Sequence, residues 1–176
     1  MLKKLIKKIL WRFYSYEKKA ILSGVEMGSN NFVASQFWGS EPYLIKIGNN
    51  CQITNGVNLF THGGAGAVRQ YYPKFDCFGR VIIGDYVYIG SNTLVMPGVT
   101  VGDNVLIAAG SVVANSVPSN VVIGGNPAKI ICTLDQYIEK NLSFNLDTKG
   151  LSLEEKKRIV LSADASKLII KKELKF

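Results

Sequence analysis

The chain has 176 residues, 47% of them apolar, which suits one domain with a buried core and appended segments and excludes a disordered polymer. Its net charge of +8 is uneven: residues 1–20 carry +6, residues 21–132 are neutral, and residues 133–176 carry +2. A neutral body argues against a nucleic-acid binder, and three cysteines without CxxC spacing argue against a disulfide framework or a structural zinc site and fit a reducing cytoplasm.

Leu2, Leu5, Ile6, Ile9, Leu10 and Phe13 share one helical face and the lysines another, so residues 1–20 are expected to form an amphipathic helical arm. The arm lacks the long apolar run and small-residue cleavage site of a secretory leader. No run of about 18 apolar residues suggests a membrane span. Two fates are open to the arm. It can pack on its own protein, or residues 1–19 can make weak peripheral contact with the anionic inner face of a membrane. Residues 21–46, with "EMGSNNFVAS" and "GSEPYLI", read as a degenerate first unit of the repeat that follows.

Residues 83–118 divide into sixes: IGDYVY, IGSNTL, VMPGVT, VGDNVL, IAAGSV, VANSVP. The first place is always Ile or Val, the fifth is small or β-branched, and the second is Gly or Ala except at Met96. An earlier block, IGNNCQ, ITNGVN and LFTHGG from Ile47, keeps the same register. Such a period marks a solenoid, in which each unit makes a short strand and a corner. First-place residues, Ile89 and Val101 among them, then stack in the core, and Gly or Asn takes corners that need positive φ.

Between the blocks, residues 65–82 break the pattern with Arg69, Tyr71, Tyr72, Lys74, Phe75, Asp76 and Phe78. A long loop ejected from a rigid scaffold is where function collects. The domain organisation expected is therefore an arm over 1–20, a β-helix over 21–132 with its excursion at 65–82, and a helical tail over 133–176. In the tail, Ser152 and Glu155 have the spacing of a capping box.

"ITNGVNLFTHGG", the excursion, the repeat block and the closing "IGGNPAKII" together resemble the hexapeptide-repeat acetyltransferases. The likeness is greatest to the maltose and galactoside O-acetyltransferases and their relatives in capsule and O-antigen gene clusters. The resemblance spans about residues 27–132. It implies a left-handed parallel β-helix, acetyl-CoA as acyl donor, a homotrimer with sites between subunits, and no metal.

His62, the sole histidine, stands at the root of the excursion. Acyl transfer to a hydroxyl needs a base that titrates near working pH, and the resemblance implies that His62 is that base. A single histidine also excludes a three-histidine zinc site. A second group should hold the imidazole's tautomer, for which Glu41 and Asp76 are the candidates. Sugar contact by Asn31 or Gln36 is a further option, because Ala34 stands where the galactoside enzymes carry asparagine. By position in the family, Ser91 and Ala109 would line the pantetheine arm of the cofactor, Tyr88, in place of a common tryptophan, would pack on that arm or on the sugar, and Lys129 would meet the cofactor's phosphates. Ala114 and Asn115 depart from the family's Thr-Lys pair.

The leading expectation is an acetyl-CoA-dependent O-acetyltransferase of the cytoplasm, acting on a sugar hydroxyl of a polysaccharide or glycan precursor. An N-acyltransferase of an amino-sugar nucleotide and a non-catalytic β-helix scaffold are the alternatives. The former's relatives usually carry an extra N-terminal domain, and the scaffold would not need His62, the loop or "GNPAK".

Overall fold

The computed structural model describes residues 11–173, and the chain divides into two compact units, Met1–Leu134 and Asp135–Phe176. The first begins with helix α1 (Tyr16–Ser23) and continues through strands β1 (Glu26–Met27), β2 (Phe32–Val33), β3 (Ile45–Ile47), β4 (Gln52–Ile53) and β5 (Asn58–Leu59). A short helix α2 (Ala65–Val68) interrupts the series. Strands β6 (Val81–Ile83), β7 (Tyr88–Ile89), β8 (Leu94–Val95), β9 (Thr100–Val101), β10 (Leu106–Ile107), β11 (Val112–Val113), β12 (Val121–Gly125) and β13 (Ala128–Thr133) complete it.

These strands form three sheets in the orders β1-β3-β6-β9, β13-β12-β10-β7-β4-β2 and β11-β8-β5. The chain visits the three in rotation, so it winds as a three-sided parallel coil. Tyr88 pairs with Leu106, and Leu94 with Val112, each 18 residues on, which is three units of six. Gln52 pairs with Tyr88, 36 residues on, because the turn between them carries the excursion.

The coil forms because every sixth side chain is aliphatic and points inward. Ile47, Ile53, Leu59, Ile83, Ile89, Val95, Val101, Ile107 and Val113 are all buried and belong to one core cluster. Burying one such side chain contributes roughly 1.5–3 kcal/mol. Asn50, Asn92 and Asn104 take left-handed φ of 56°, 60° and 57° at corners, where their short polar side chains tolerate that region. Tyr86 holds the same conformation at φ 56° without that advantage.

The corner that holds Asn50, Tyr86 and Asn104 also carries a ladder of side-chain acceptors. Asp85 Oδ1 accepts from the Asn49 N–H at 2.7 Å, Asp103 Oδ1 from the Asp85 N–H at 2.8 Å, and Ser119 Oγ from the Asp103 N–H at 2.9 Å. Asp85 and Asp103 thus satisfy backbone donors between coils.

Three expectations change. The arm is not one helix through residue 19: Ser15 Oγ accepts from the Lys18 N–H and starts a new helix, α1, which runs on to Ser23. The arm's residues 1–10, and with them most of the membrane reading, lie outside the described residues. The excursion ends before 82, because Val81 is fully buried and opens β6 opposite Ile45. Asn31 is not free for sugar: its amide donates to the Gly28 and Gly48 carbonyls, and its Oδ1 accepts from the Cys51 N–H. Among the described residues no helix is long and apolar enough to cross a membrane.

The second unit holds most of helix α3 (Leu134–Asn141) and all of α4 (Leu153–Ser162). Ser152 and Glu155 form a capping box in which each side chain accepts from the other residue's backbone N–H.

Candidate active site

The chain leaves the coil at Thr61 and His62 and returns at Phe78 and Gly79. An antiparallel bridge joins His62 to Phe78, and the Gly79 N–H donates to the Thr61 carbonyl at 2.8 Å. This pinch fixes the backbone of His62 although a long loop follows it.

One coil earlier, the segment Gly39–Pro42 passes beside Thr61. Gly39 takes φ +63°, and a Cβ on it would stand 2.6 Å from Thr61 Oγ1. The missing side chain lets Glu41 reach inward. The Glu41 N–H donates to Thr61 Oγ1 at 3.3 Å, and Thr61 Oγ1 donates back to Glu41 Oε2 at 2.7 Å. Thr61 is buried. Oε2 also receives His62 Nδ1 at 2.7 Å.

This arrangement favours the ionised form of Glu41. The Thr61 hydrogen bond is the main reason that the Glu41 carboxyl lies below the usual carboxylate range. Desolvation opposes it, and the bond and charge of His62 add to it. An ionised carboxylate only accepts, so Nδ1 carries the hydrogen of this bond, and the neutral imidazole of that tautomer has its lone pair on Nε2. The His62 side chain is 37% exposed and that of Glu41 only 16%, so the pair has an open end and a sheltered end.

His62 lines a cavity of about 490 Å³ with Phe60, Cys77, Phe78, Met96 and Pro97. The wall is mostly apolar. Phe78 packs edge-on to the imidazole, with ring centroids 5.9 Å apart. Phe60 and Met96 lie one coil apart, since their strand neighbours Leu59 and Val95 pair.

Of the two acidic candidates, the structure joins Glu41 to His62 and leaves Asp76 in the loop. Asp76 Oδ2 lies 3.4 Å from Arg69 Nη2, and Oδ1 accepts from the Cys77 N–H. Tyr88, Ser91, Ala109 and Lys129 are not among the residues lining the His62 cavity. Tyr88 lies between Gln52 and Leu106 on the outer face of β7, and Ser91 Oγ donates to Thr54 Oγ1 at 3.2 Å. Ala109 is exposed, pressed close by Gly90, whose Cβ would stand 2.4 Å from the Ala109 nitrogen. Lys129 lines a separate cavity of about 370 Å³ with Asn115 and Ser116.

Sequence reasoning missed Thr61, Phe60 and Phe78 as parts of the site. A signal for Phe60 and Met96 was present: both put a bulky residue where the repeat keeps a small one. Thr61 gave no such sign.

Residues 80–115 match the family described as bacterial transferase hexapeptide (six repeats). Protein CapG of Staphylococcus aureus is 46% identical over 165 residues, which cover 92% of this chain and 95% of that protein. The chain belongs to the hexapeptide-repeat acyltransferase family. Galactoside O-acetyltransferase of Escherichia coli K12 is 33% identical over 110 residues, 62% of this chain and 54% of that enzyme. The crystal structure of a maltose O-acetyltransferase from Clostridium difficile 630 aligns with a TM-score of 0.57 at 32% identity, covering 62% of this chain and 59% of that one. The chain thus matches little more than half the length of the two sugar acetyltransferases.

Proposed function

We propose that this protein is an acetyl-CoA-dependent O-acetyltransferase acting on a sugar hydroxyl of a polysaccharide or glycan precursor. The observation that carries the reading is the His62–Glu41 pair at 2.7 Å, with His62 in the wall of a sizeable apolar cavity. His62 Nε2 takes the hydroxyl proton as the acceptor oxygen attacks the thioester carbonyl. The acetyl group passes from sulfur to oxygen, and the imidazolium returns its proton to the departing CoA thiolate. Glu41 is the positioning residue, since its carboxylate holds the Nδ1–H tautomer and stabilises the imidazolium between the two transfers. Asp76 has no part in this scheme.

The coil is left-handed in this reading, as in the family, and three chains assemble so that one chain's His62 faces another's coil edge. Small residues along the coil suit an extended pantetheine arm, with Ser91 and Ala109 beside it and Tyr88 packing on it. Lys129, sharing its cavity with Asn115, meets the cofactor's phosphates in place of the family's Thr-Lys pair.

The test is free CoA released from acetyl-CoA against a panel of sugars, nucleotide sugars and oligosaccharides. Release with a hydroxyl acceptor, abolished by His62→Ala, supports the reading. Release only with amino sugars replaces it with N-acylation, and acetyl-CoA binding without release to any acceptor overturns it.

A further inference from the structure

The cavity beside His62 is more apolar and roomier than acetyl transfer to a sugar requires. Its wall is built from Phe60, Cys77, Phe78, Met96 and Pro97, with His62 and three glycines completing it. No hydroxyl, amide or carboxylate side chain lines it. A hydroxylated ring pushed into such a space would leave hydroxyls without partners, each at a cost. The acceptor therefore brings its reacting hydroxyl to His62 from the open side, where the imidazole is 37% exposed, and the cavity is left for an apolar group. The wall is also a departure from the repeat. Phe60 and Met96 hold the second place of their units, which Gly or Ala holds in the other units of residues 83–118.

Position along the coil says which substrate brings that group. Glu41 reaches His62 from the coil before, whereas Met96, Pro97 and Gly98 stand one coil after it, since Leu59 pairs with Val95. One coil further on the same corner, Val95 pairs with Val113, and Asn115 and Ser116 line the cavity of Lys129. The apolar space thus lies on the side of His62 that leads to the proposed phosphate contact, which is the donor's side. Ligand pockets that enclose whole drug-sized molecules run to roughly 300–1,000 Å³, so about 490 Å³ is far more than the methyl of an acetyl group fills.

We infer that this cavity is an acyl pocket, and that its donors include linear acyl-CoA thioesters longer than acetyl, of butyryl size. The thioester carbonyl stands at His62, and the alkyl chain lies against Phe60, Phe78 and Met96, the last an adaptable side chain. The chemistry is unchanged. The carbonyl carbon's bond to sulfur breaks, its bond to the acceptor oxygen forms, and the hydroxyl proton passes by Nε2 to the CoA thiolate. The inference rests on the acyl-transfer reading for its donor, and it widens that reading from acetyl to short acyl groups.

The test is calorimetric binding of acetyl-CoA and butyryl-CoA to the full chain without acceptor, followed by CoA release from each with the best acceptor of the panel. A methylene wholly removed from water is worth about fourfold in affinity. Butyryl-CoA carries two more than acetyl-CoA and the cavity is open on one side, so it should bind about 4- to 15-fold more tightly, with a kcat/KM no lower. Cys77→Trp fills the cavity from an exposed loop position and should bring the two affinities to within about twofold. Equal or weaker binding of butyryl-CoA by the parent chain overturns the pocket and gives the space to another occupant, such as a second copy of the chain. A butyryl advantage that survives Cys77→Trp overturns its location. A chain that binds butyryl-CoA more tightly yet releases CoA from neither donor keeps the pocket and loses the transfer reading. One that releases CoA from acetyl-CoA alone keeps that reading and loses this inference.

Discussion

Gly39→Ala tests the link between the fold and the pair that it holds. Two costs arise at this position. An L side chain at φ +63° carries left-handed strain of about 1–2 kcal/mol. The added Cβ also meets Thr61 Oγ1 at 2.6 Å, where ordinary contact begins near 3.4 Å. Thr61 is buried and its backbone is held by Gly79, so the Gly39–Glu41 segment has to yield, by several tenths of an ångström. For a chain of this size the strain lowers Tm by about 2–8 °C. The displacement acts on the Glu41 carboxylate, which meets both Thr61 and His62 at 2.7 Å. Misplacement of about 1 Å in a catalytic constellation costs up to ~100-fold in rate. Free CoA release with the best acceptor of the panel, together with thermal melting, separates the two effects. The expected result is a folded protein, a few degrees less stable, with kcat down about 10- to 100-fold. A Gly39→Ala enzyme with kcat within about twofold of the parent would show that the Glu41 geometry does not matter to the rate.

Other outcomes follow from the same structure. His62→Ala should lower turnover by ~10²–10⁴-fold while acetyl-CoA binding, followed by calorimetry, persists. Glu41 has a lowered pKa in the fold, so the stability that its ionised form brings is complete at neutral pH and is lost as pH falls through that lowered value. Glu41→Gln should therefore flatten the acid limb of stability against pH, and an unchanged limb would place the acid-sensitive group elsewhere. Ile89→Asp sets a carboxylate in a fully buried position, a cost of several kcal/mol, and should leave the protein insoluble on expression. Light scattering should give the mass of three chains, and a monomer at assay concentration would refute the assembly.

What was legible in the sequence follows from periodicity. A first-place aliphatic every six residues is a statement about burial, and outside the excursion every one from Ile47 to Val113 obeys it. His62 and Glu41 were legible as chemistry because one is a sole histidine at a break in the repeat and the other lies one coil before it. Choosing Glu41 over Asp76 was not possible, since it depends on Gly39 and Thr61, whose contact spans 22 residues of sequence. Asn31 read as a sugar ligand because its three backbone partners come from Gly28, Gly48 and Cys51, two of them in the next coil. The break at Ser15 was hidden by an apolar face that continues through it, where a capping hydroxyl outweighs the pattern.

The hairpin at the end of the coil has a consequence for the protein in solution. Parallel coils grow by offering the open backbone edge of the last strand to the next, and nothing in such an edge distinguishes a chain's own continuation from a neighbour's. Here β13 folds back antiparallel on β12, from Val121 opposite Thr133 to Gly125 opposite Ala128. Beyond Gly125 stands Pro127, which has no N–H to donate. The edge of β12 is thus occupied by a strand of reversed direction, which offers an incoming parallel strand no register to extend in that sheet. On this one of the three sheets the six residues of β13 stand between β12 and any neighbour's strand, while the other two sheets end on β9 and β11.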